Sequence, residues 1–156
     1  MTTTEISPLA PRSSGPVFTR LRMTPPRVET EWSSITELHD EAWSGAILKV
    51  AALARLHADW DSYGSPPPAS TNVVLTVGLL RETWDFHALL SPPEVSPTPG
   101  GGIGLAWVGG TKTLEVMVMP DGSAEYLRVS PDGGPEEGPL LTLSELRDHL
   151  IWIAST

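Results

Sequence analysis

Cysteine is absent from the 156-residue sequence, and so are long apolar runs. Without cysteine the chain can form no disulfide, thiolate metal site or thiol nucleophile, and the redox compartment stays undetermined. No apolar run approaches the ~20 residues that a membrane-spanning helix needs. Residues 1–22 also lack the apolar stretch of a secretory signal. We therefore expect a soluble, cytoplasmic protein that is not inserted in a membrane.

Basic residues are scarce and unevenly placed. The sequence holds 10 Lys and Arg against 19 Asp and Glu, a formal net charge of −9. Residues 1–30 contain four arginines and two acids, whereas the remainder contains six basic and seventeen acidic residues. An acidic body repels phosphate backbones and anionic lipid, which favours a basic protein as partner and disfavours nucleic-acid contact by the folded part. The simpler alternative is that the negative charge only maintains solubility.

Recognisable catalytic and phosphate-binding motifs are also missing. The glycines of residues 100–104 lead into a predicted strand, with no Lys-Ser or Lys-Thr after them, so neither phosphate-loop pattern fits. No serine lies in a G-x-S-x-G pattern. We therefore predict no catalytic residue and no cofactor, and we interpret the glycines as a flexible lead into the sheet.

Residues 1–30 differ from the rest in composition, being rich in Thr, Ser, Pro and Arg. We predict a disordered tail there and a single domain over residues 31–156. The tail contains one apolar cluster, which either docks on a partner or contacts the acidic body of the same chain. The cluster consists of Val17, Phe18, Leu21 and Met23, and the arginines of the tail are Arg12, Arg20, Arg22 and Arg27.

Two helices are predicted in the first half of the domain. Apolar residues recur at helical spacing over residues 33–58, where Ser34 and Glu37 form a capping-box pattern. A second helix is predicted over residues 70–90. Its β-branched valines argue in part for a strand, but the length and the spacing of its apolar residues favour a helix. The prolines that follow each segment end both helices.

The period of the apolar residues changes from about 3.6 to 2 in the second half of the chain. Alternation over residues 103–108, 113–119 and 124–129, with short turns between, predicts three antiparallel strands in a meander. Thr142 and Glu145 form another capping-box pattern before a helical stripe. The expected fold is α+β, with two N-terminal helices, a three-stranded antiparallel meander and a C-terminal helix packed on the sheet.

The most unusual chemistry lies between the two predicted N-terminal helices, in residues 59–68. Asp and Gly mark a turn, three prolines stiffen it, and Trp and Tyr are side chains that often anchor interfaces. The segment is either a structural corner or a partner-binding surface. The candidate binding residues are Trp60, Asp61, Tyr63, Gly64, Pro66, Pro67 and Pro68.

Six tryptophans are many for a chain of this length. Trp84 and Trp107 lie on apolar stripes of a predicted helix and strand, so we expect both in the core, and we expect Trp152 to pack as well. Trp60 and Tyr63 either pack on the adjacent prolines or project toward a partner. Of these two arrangements, packing is favoured.

His57, Asp59 and Asp61 suggest an alternative function, because ligand-type side chains at every second residue share one side of an extended segment. With further ligands they could hold Mn²⁺, Zn²⁺ or a similar ion in a metal-dependent hydrolase or nuclease. A calcium loop does not fit, since Tyr63 and Ser70 occupy its fifth and twelfth positions. The simpler interpretation is that Asp61 bonds the turn backbone. We predict no metal site.

The order of elements around Trp60, Asp61, Tyr63 and Gly64 resembles that of a group of small bacterial proteins of uncharacterised function, which share a W-D-x-Y-G-x-x-P segment between two helices. The resemblance covers about residues 45–130. It implies the same architecture. It implies no activity, substrate or catalytic residue, because none is established for the group.

Together these observations favour a non-enzymatic, acidic interaction module that binds another protein through the segment between the helices, its acidic surface, or both. A small acidic protein of this kind could be an accessory subunit, an inhibitor or an antitoxin of a bacterial defence or mobile-element system. The metal-dependent hydrolase is the alternative. A third hypothesis is that the basic tail contacts nucleic acid while the body recruits a partner.

Overall fold

The computed structural model describes residues 29–155, with side chains from residue 40 onward. All but the last two residues of the predicted disordered tail lie outside the described residues. In chain order the elements are α1 (Glu29–Leu53), α2 (Ser70–Glu82), a 3₁₀ turn (Trp84–Phe86), β1 (Glu94–Thr98), β2 (Gly102–Gly109), β3 (Lys112–Val118), β4 (Ala124–Ser130), β5 (Gly134–Pro139) and α3 (Leu143–Ala154). The α+β class and the order of helices, antiparallel sheet and C-terminal helix are confirmed.

The sheet has five strands and not the predicted three. Its order is β1-β2-β3-β4-β5, and every neighbouring pair is antiparallel. The prediction found the three central strands and missed both edges. β1 reads EVSPT and β5 reads GPEEGP. Proline and glycine are disfavoured inside a sheet but tolerated at its edge, where half of the backbone groups need no partner, so these segments resembled loops.

Helix boundaries differ from the predicted ones at several points. α1 begins at Glu29, so Ser34 lies inside the helix and is not its N-cap. After Leu53 the backbone hydrogen bonds join residues that are three apart, as in a 3₁₀ turn. One example runs from the Arg55 N–H to the Ala52 carbonyl (3.0 Å), and the α-helix ends there. α2 ends at Glu82, and Thr83 turns its hydroxyl back to the Leu79 carbonyl at 3.0 Å.

α3 begins as its sequence predicts. Thr142 is the N-cap, and its hydroxyl accepts a hydrogen bond from the Glu145 backbone N–H at 3.1 Å. The Glu145 carboxylate accepts from the backbone N–H of Thr142 at 3.1 Å, which completes the capping box. The predicted start is therefore confirmed.

The core lies between one face of the sheet and the three helices. The apolar alternation of β2 and β3 is paired residue for residue, Leu105 with Val116 and Trp107 with Leu114, so one face of the sheet is continuous and apolar. Trp43 is fully buried, and its indole N–H donates to the Leu90 carbonyl at 3.1 Å. The helical side chains that cover this face are Trp43, Ala46, Val50, Leu80, Leu146, Leu150 and Ile153.

The predicted core tryptophans have different environments. Trp107 is almost fully buried, as expected, whereas Trp84 and Trp152 are only half-buried and pack at the margin of the core. Trp43 was missed by the predicted stripe of α1, although it lies three residues before Ala46 and belongs to the same helical face.

No helix among residues 29–155 is both long and apolar enough to cross a bilayer.

Candidate functional site

The corner, defined here as residues 59–68, joins α1 to α2. Its backbone is closed by two hydrogen bonds of Asp59, whose N–H donates to the Ser65 carbonyl at 2.9 Å and whose carboxylate accepts from the Gly64 N–H at 2.7 Å. These bonds span six and five residues of chain, respectively. They fix the corner as a compact loop, as the turn residues predicted.

Asp61 organises the interior of the corner. Its carboxylate accepts from the Tyr63 N–H at 3.0 Å, from the Ser65 N–H at 3.2 Å and from the Ser65 hydroxyl at 2.6 Å. The Ser65 hydroxyl, followed by the Tyr63 N–H, lowers the pKa of Asp61 from its usual value. Asp61 is therefore charged at neutral pH and used by the turn itself, which agrees with the simpler interpretation of the sequence.

The corner holds three residues in the left-handed backbone region. Gly64 has a φ of +84°, and Asp59 and Ser62 each have a φ of +63°. For Asp and Ser this conformation is unfavourable, and short polar side chains tolerate it best when they bond the local backbone. The hydrogen bonds of Asp59 and Asp61 supply that compensation. The loop is thus held in one conformation by its own side chains.

The proline run packs the corner against the sheet. Pro68 is buried, and the backbone of Pro66 and Pro67 approaches the turn between β1 and β2. A Cβ on Gly101 would lie 3.3 Å from the Pro67 carbonyl oxygen, and Gly101 has a φ of +90°. Glycine is needed there for both reasons. These glycines form a tight turn and not the flexible lead into the sheet that the sequence predicts, because the unpredicted strand β1 precedes them.

Trp60 and Tyr63 have opposite roles. The Trp60 indole N–H donates to the Pro66 carbonyl at 3.2 Å, and the residue is half-buried on the prolines. Tyr63 is 92% exposed. The corner therefore presents one aromatic side chain at its tip and uses the other to fix its own shape.

The predicted metal ligands do not converge. The Asp59 and Asp61 carboxylates bond backbone groups within the corner, and His57 is exposed. Within the part of the chain that the structure describes, no three His, Asp or Glu side chains are grouped so as to hold a metal ion. The geometry gives no support to the metal-dependent hydrolase or nuclease.

The outer sheet face, defined here as the side of the sheet away from the helices, carries acidic residues. Glu115 lies in a row across all five strands, and Glu125 lies in the adjacent row on the same face. The first row is Glu94, Ala106, Glu115, Leu127 and Glu137, and the second is Ser96, Gly104, Met117, Glu125 and Pro139. Lys112 and Arg128, the basic residues of the strands, both lie on the opposite, helix-covered face.

A shallow trough of about 290 Å³ runs along the outer sheet face. Its floor is Gly104 and Ala106 of β2, and larger side chains of β1 and β3, including Glu94, Glu115 and Met117, form its walls. Glycine and alanine in a central strand leave room for another group to approach the sheet. The sequence indicates this trough through the alternation of small residues with Ile103, Leu105 and Trp107. The prediction used that alternation only to locate the apolar face of the strand.

A polar cluster fixes α3 to the helix-covered face. The His149 ring stacks on the Tyr126 ring with 4.0 Å between centroids, and Arg128 donates to the Glu136 carboxylate at 2.9 Å. Burial, followed by the charge of Arg128, lowers the pKa of His149, whereas the Arg128 hydrogen bond lowers that of Glu136. Lys112 and Arg128 each lie 5.2 Å from the Trp152 ring centroid. These contacts hold the packing of α3, although the buried His149 Nδ1 has no hydrogen-bond partner among the described residues.

An apolar groove of about 430 Å³ lies between α2 and the start of α3. Leu75 and Leu143 line it, together with Leu141, which is 76% exposed. Nearby, the buried Asn72 side chain donates to the Met119 carbonyl at 2.9 Å and so ties α2 to the turn between β3 and β4. The sequence pattern predicts no role for Asn72, since an isolated polar residue in a helix does not indicate which distant group it will bond.

No protein-family profile, curated protein or solved structure is significantly similar to this chain.

Proposed function

We propose that this chain is a non-enzymatic, acidic protein-binding module whose corner contacts another protein through Tyr63. The observation that carries the proposal is the 92% exposure of Tyr63 at the tip of a loop fixed by its own hydrogen bonds. Tyr63 contributes almost no buried area to the fold. A tyrosine ring at the tip of such a loop offers a partner a large contact area with an apolar body and a polar end.

The rigidity of the corner favours this role. Binding immobilises side chains and loops, and that loss of freedom weakens association. A tyrosine has only two side-chain torsions, and the loop below it is already ordered by Asp59 and Asp61. The entropy cost of ordering the loop is therefore met when the protein folds, and only the Tyr63 side chain is left to be ordered on binding.

Charge indicates the kind of partner. The formal net charge is −9, and the glutamates of the outer sheet face add a negative potential that attracts a basic protein and repels phosphate and anionic lipid. We infer a basic partner protein for the folded body. An accessory, inhibitory or antitoxin-like role in the bacterial cytoplasm fits this size and charge. The resemblance around the W-D-x-Y-G-x-x-P segment supports a shared corner and gives no activity.

The test is co-purification of the tagged full chain from cells of its source, with quantitative mass spectrometry. We expect Tyr63→Ala to lower recovery of the partner by about tenfold or more, as removal of an aromatic anchor does. Leu89→Ala is the control, because Leu89 is 69% exposed and lies outside the corner. Equal recovery with both variants, or a lone monomer at low and moderate salt, would contradict the proposal.

A further inference from the structure

The outer sheet face is open although a whole layer of helices covers the other face. The core side chains of α1, α2 and α3 pack on the side of Leu105 and Val116, and none of the core side chains described from residue 40 onward lies on the side of Ala106 and Met117. An antiparallel sheet can leave one face in water. Here that face also contains a trough with a floor of Gly104 and Ala106, which is a shape that another chain segment can enter.

The charge on this face is of one sign and is not neutralised by any described residue. Glu94, Glu115, Glu125 and Glu137 form no ion pair with another residue in the range that the structure describes. Glu125 is the diagonal neighbour of Glu115 on one side and of Glu137 on the other. Diagonal neighbours lie about 7–8 Å apart, so the carboxylates repel one another. A group that brings positive charge to the face removes this repulsion.

We propose that the outer sheet face is the docking surface of the chain's own basic tail, with Arg20 and Arg22 facing Glu115 and Glu125. The charge of the tail is complementary, since residues 1–28 contain four arginines and one acid. Two residues separated by one lie on the same side of an extended segment, about 7 Å apart. That separation matches the diagonal spacing of the two glutamates.

The connection from Arg22 to α1 is short, which keeps the arginines of the tail close to the folded domain. Arg22 precedes Glu29 by seven residues, which span up to about 24 Å when extended. α1 packs beside the edge strand β1, and the trough adjoins the same strand. Being on the same chain, the arginines act at a high effective concentration.

The docked tail covers acidic surface that would otherwise attract basic proteins. A basic partner of the outer face must displace Arg20 and Arg22. The docked tail therefore restricts that face to partners that carry more positive charge than the tail does. This contact is independent of the corner, which lies between the helices. The proposal therefore stands or falls separately from the binding role of Tyr63.

Paramagnetic relaxation in NMR tests the contact directly, because the chain has no cysteine and a nitroxide can be attached at a single introduced one. With the label at Thr24→Cys of the full chain, we expect the amide signals around Ala106, Glu115 and Glu125 to lose about half of their intensity or more. The Arg20→Glu, Arg22→Glu double variant should restore them. So should about 0.5 M NaCl, which screens charges beyond roughly 4–5 Å.

The matched control is Arg12→Glu with Arg27→Glu, which changes the net charge equally and should leave the broadening in place. Broadening confined to the apolar groove near Leu75 and Leu141, or no selective broadening, would overturn the proposal. So would broadening that persists in the Arg20 and Arg22 variant. A mixture of labelled unenriched chain and unlabelled ¹⁵N-enriched chain gives the last arm, in which equal broadening would overturn the intramolecular contact, because a second copy would then supply the tail.

Discussion

The two faces of the sheet come from the same strands, yet they differ in both charge and cover. On the helix-covered face, the basic residues Lys112 and Arg128 have defined partners, including the Trp152 ring and the Glu136 carboxylate. On the outer face, Glu115 and Glu137 have no partner among the described residues. Alternation along a strand therefore separates positive from negative charge as well as apolar from polar side chains.

This separation shows which charged groups of the protein stabilise its fold. Lys112 donates to the Trp152 carbonyl at 3.0 Å and also bonds the Ser155 carbonyl, so it satisfies the free carbonyls at the end of α3. The positive charge of the strands is thus part of the folded structure. The negative charge of the outer face forms no ion pair with a described residue, which leaves it for the basic tail or for a partner that displaces the tail.

The largest difference between the faces should appear with the same substitution on adjacent strands. Leu114 is fully buried on the helix-covered face, whereas Leu127 is half-buried on the outer face. We expect Leu114→Ala to lower the free energy of unfolding by about 2–5 kcal/mol, because a cavity remains in the core. Leu127→Ala should lower it by less than about 1.5 kcal/mol. Urea denaturation measures both, and equal losses would contradict a core that is confined to the helix-covered face.

A smaller difference is expected for two glycines of β2. A Cβ on Gly109 would overlap the Ile153 carbonyl of α3, whereas a Cβ on Gly104 would lie 3.1 Å from the Ser96 hydroxyl, which can rotate. Gly109→Ala should therefore destabilise the protein by about 1–3 kcal/mol. Gly104→Ala should change the stability by less than about 1 kcal/mol. Thermal unfolding of the pair decides the matter, and a costly Gly104→Ala would contradict an open trough.

The smallest effect, and one of opposite sign on the two faces, is expected for the neighbouring residues Glu136 and Glu137. Glu136→Gln loses the charge-assisted bond to Arg128 and should lower the stability. Glu137→Gln removes repulsion from Glu125 and should raise the free energy of unfolding by about 0.2–0.5 kcal/mol at low salt. Denaturation at low and high ionic strength checks both signs. A stabilising Glu136→Gln would show that its ion pair does not form in solution.

The sequence predicts this fold best where local pattern and tertiary contacts agree. The alternation of β2 and β3 and the capping box at Thr142 were read correctly because neighbouring residues alone specify them. β1 and β5 were missed because their strand character comes from hydrogen bonds to the adjacent strand, which overrides the low strand propensity of proline and glycine.

The candidate site was predictable to a similar extent. Asp61 and Gly64 identified the turn, since their backbone roles are local. The different positions of Trp60 and Tyr63 depend on which ring reaches the Pro66 carbonyl. Two aromatic residues in the same short loop do not show in the sequence which of them makes that hydrogen bond. Predicting the outer sheet face requires the register of all five strands, and the sequence pattern predicts only three of them.

The prolines of the two edge strands have a consequence for assembly. Pro97 in β1 and Pro135 in β5 offer no N–H to an incoming strand. Sheets with open edges can be extended by a strand of another molecule, which is the route to cross-β aggregates and to recognition by strand addition. Here both ends of the sheet resist that extension. The prolines therefore lower the tendency of the protein to polymerise through the edges of its sheet.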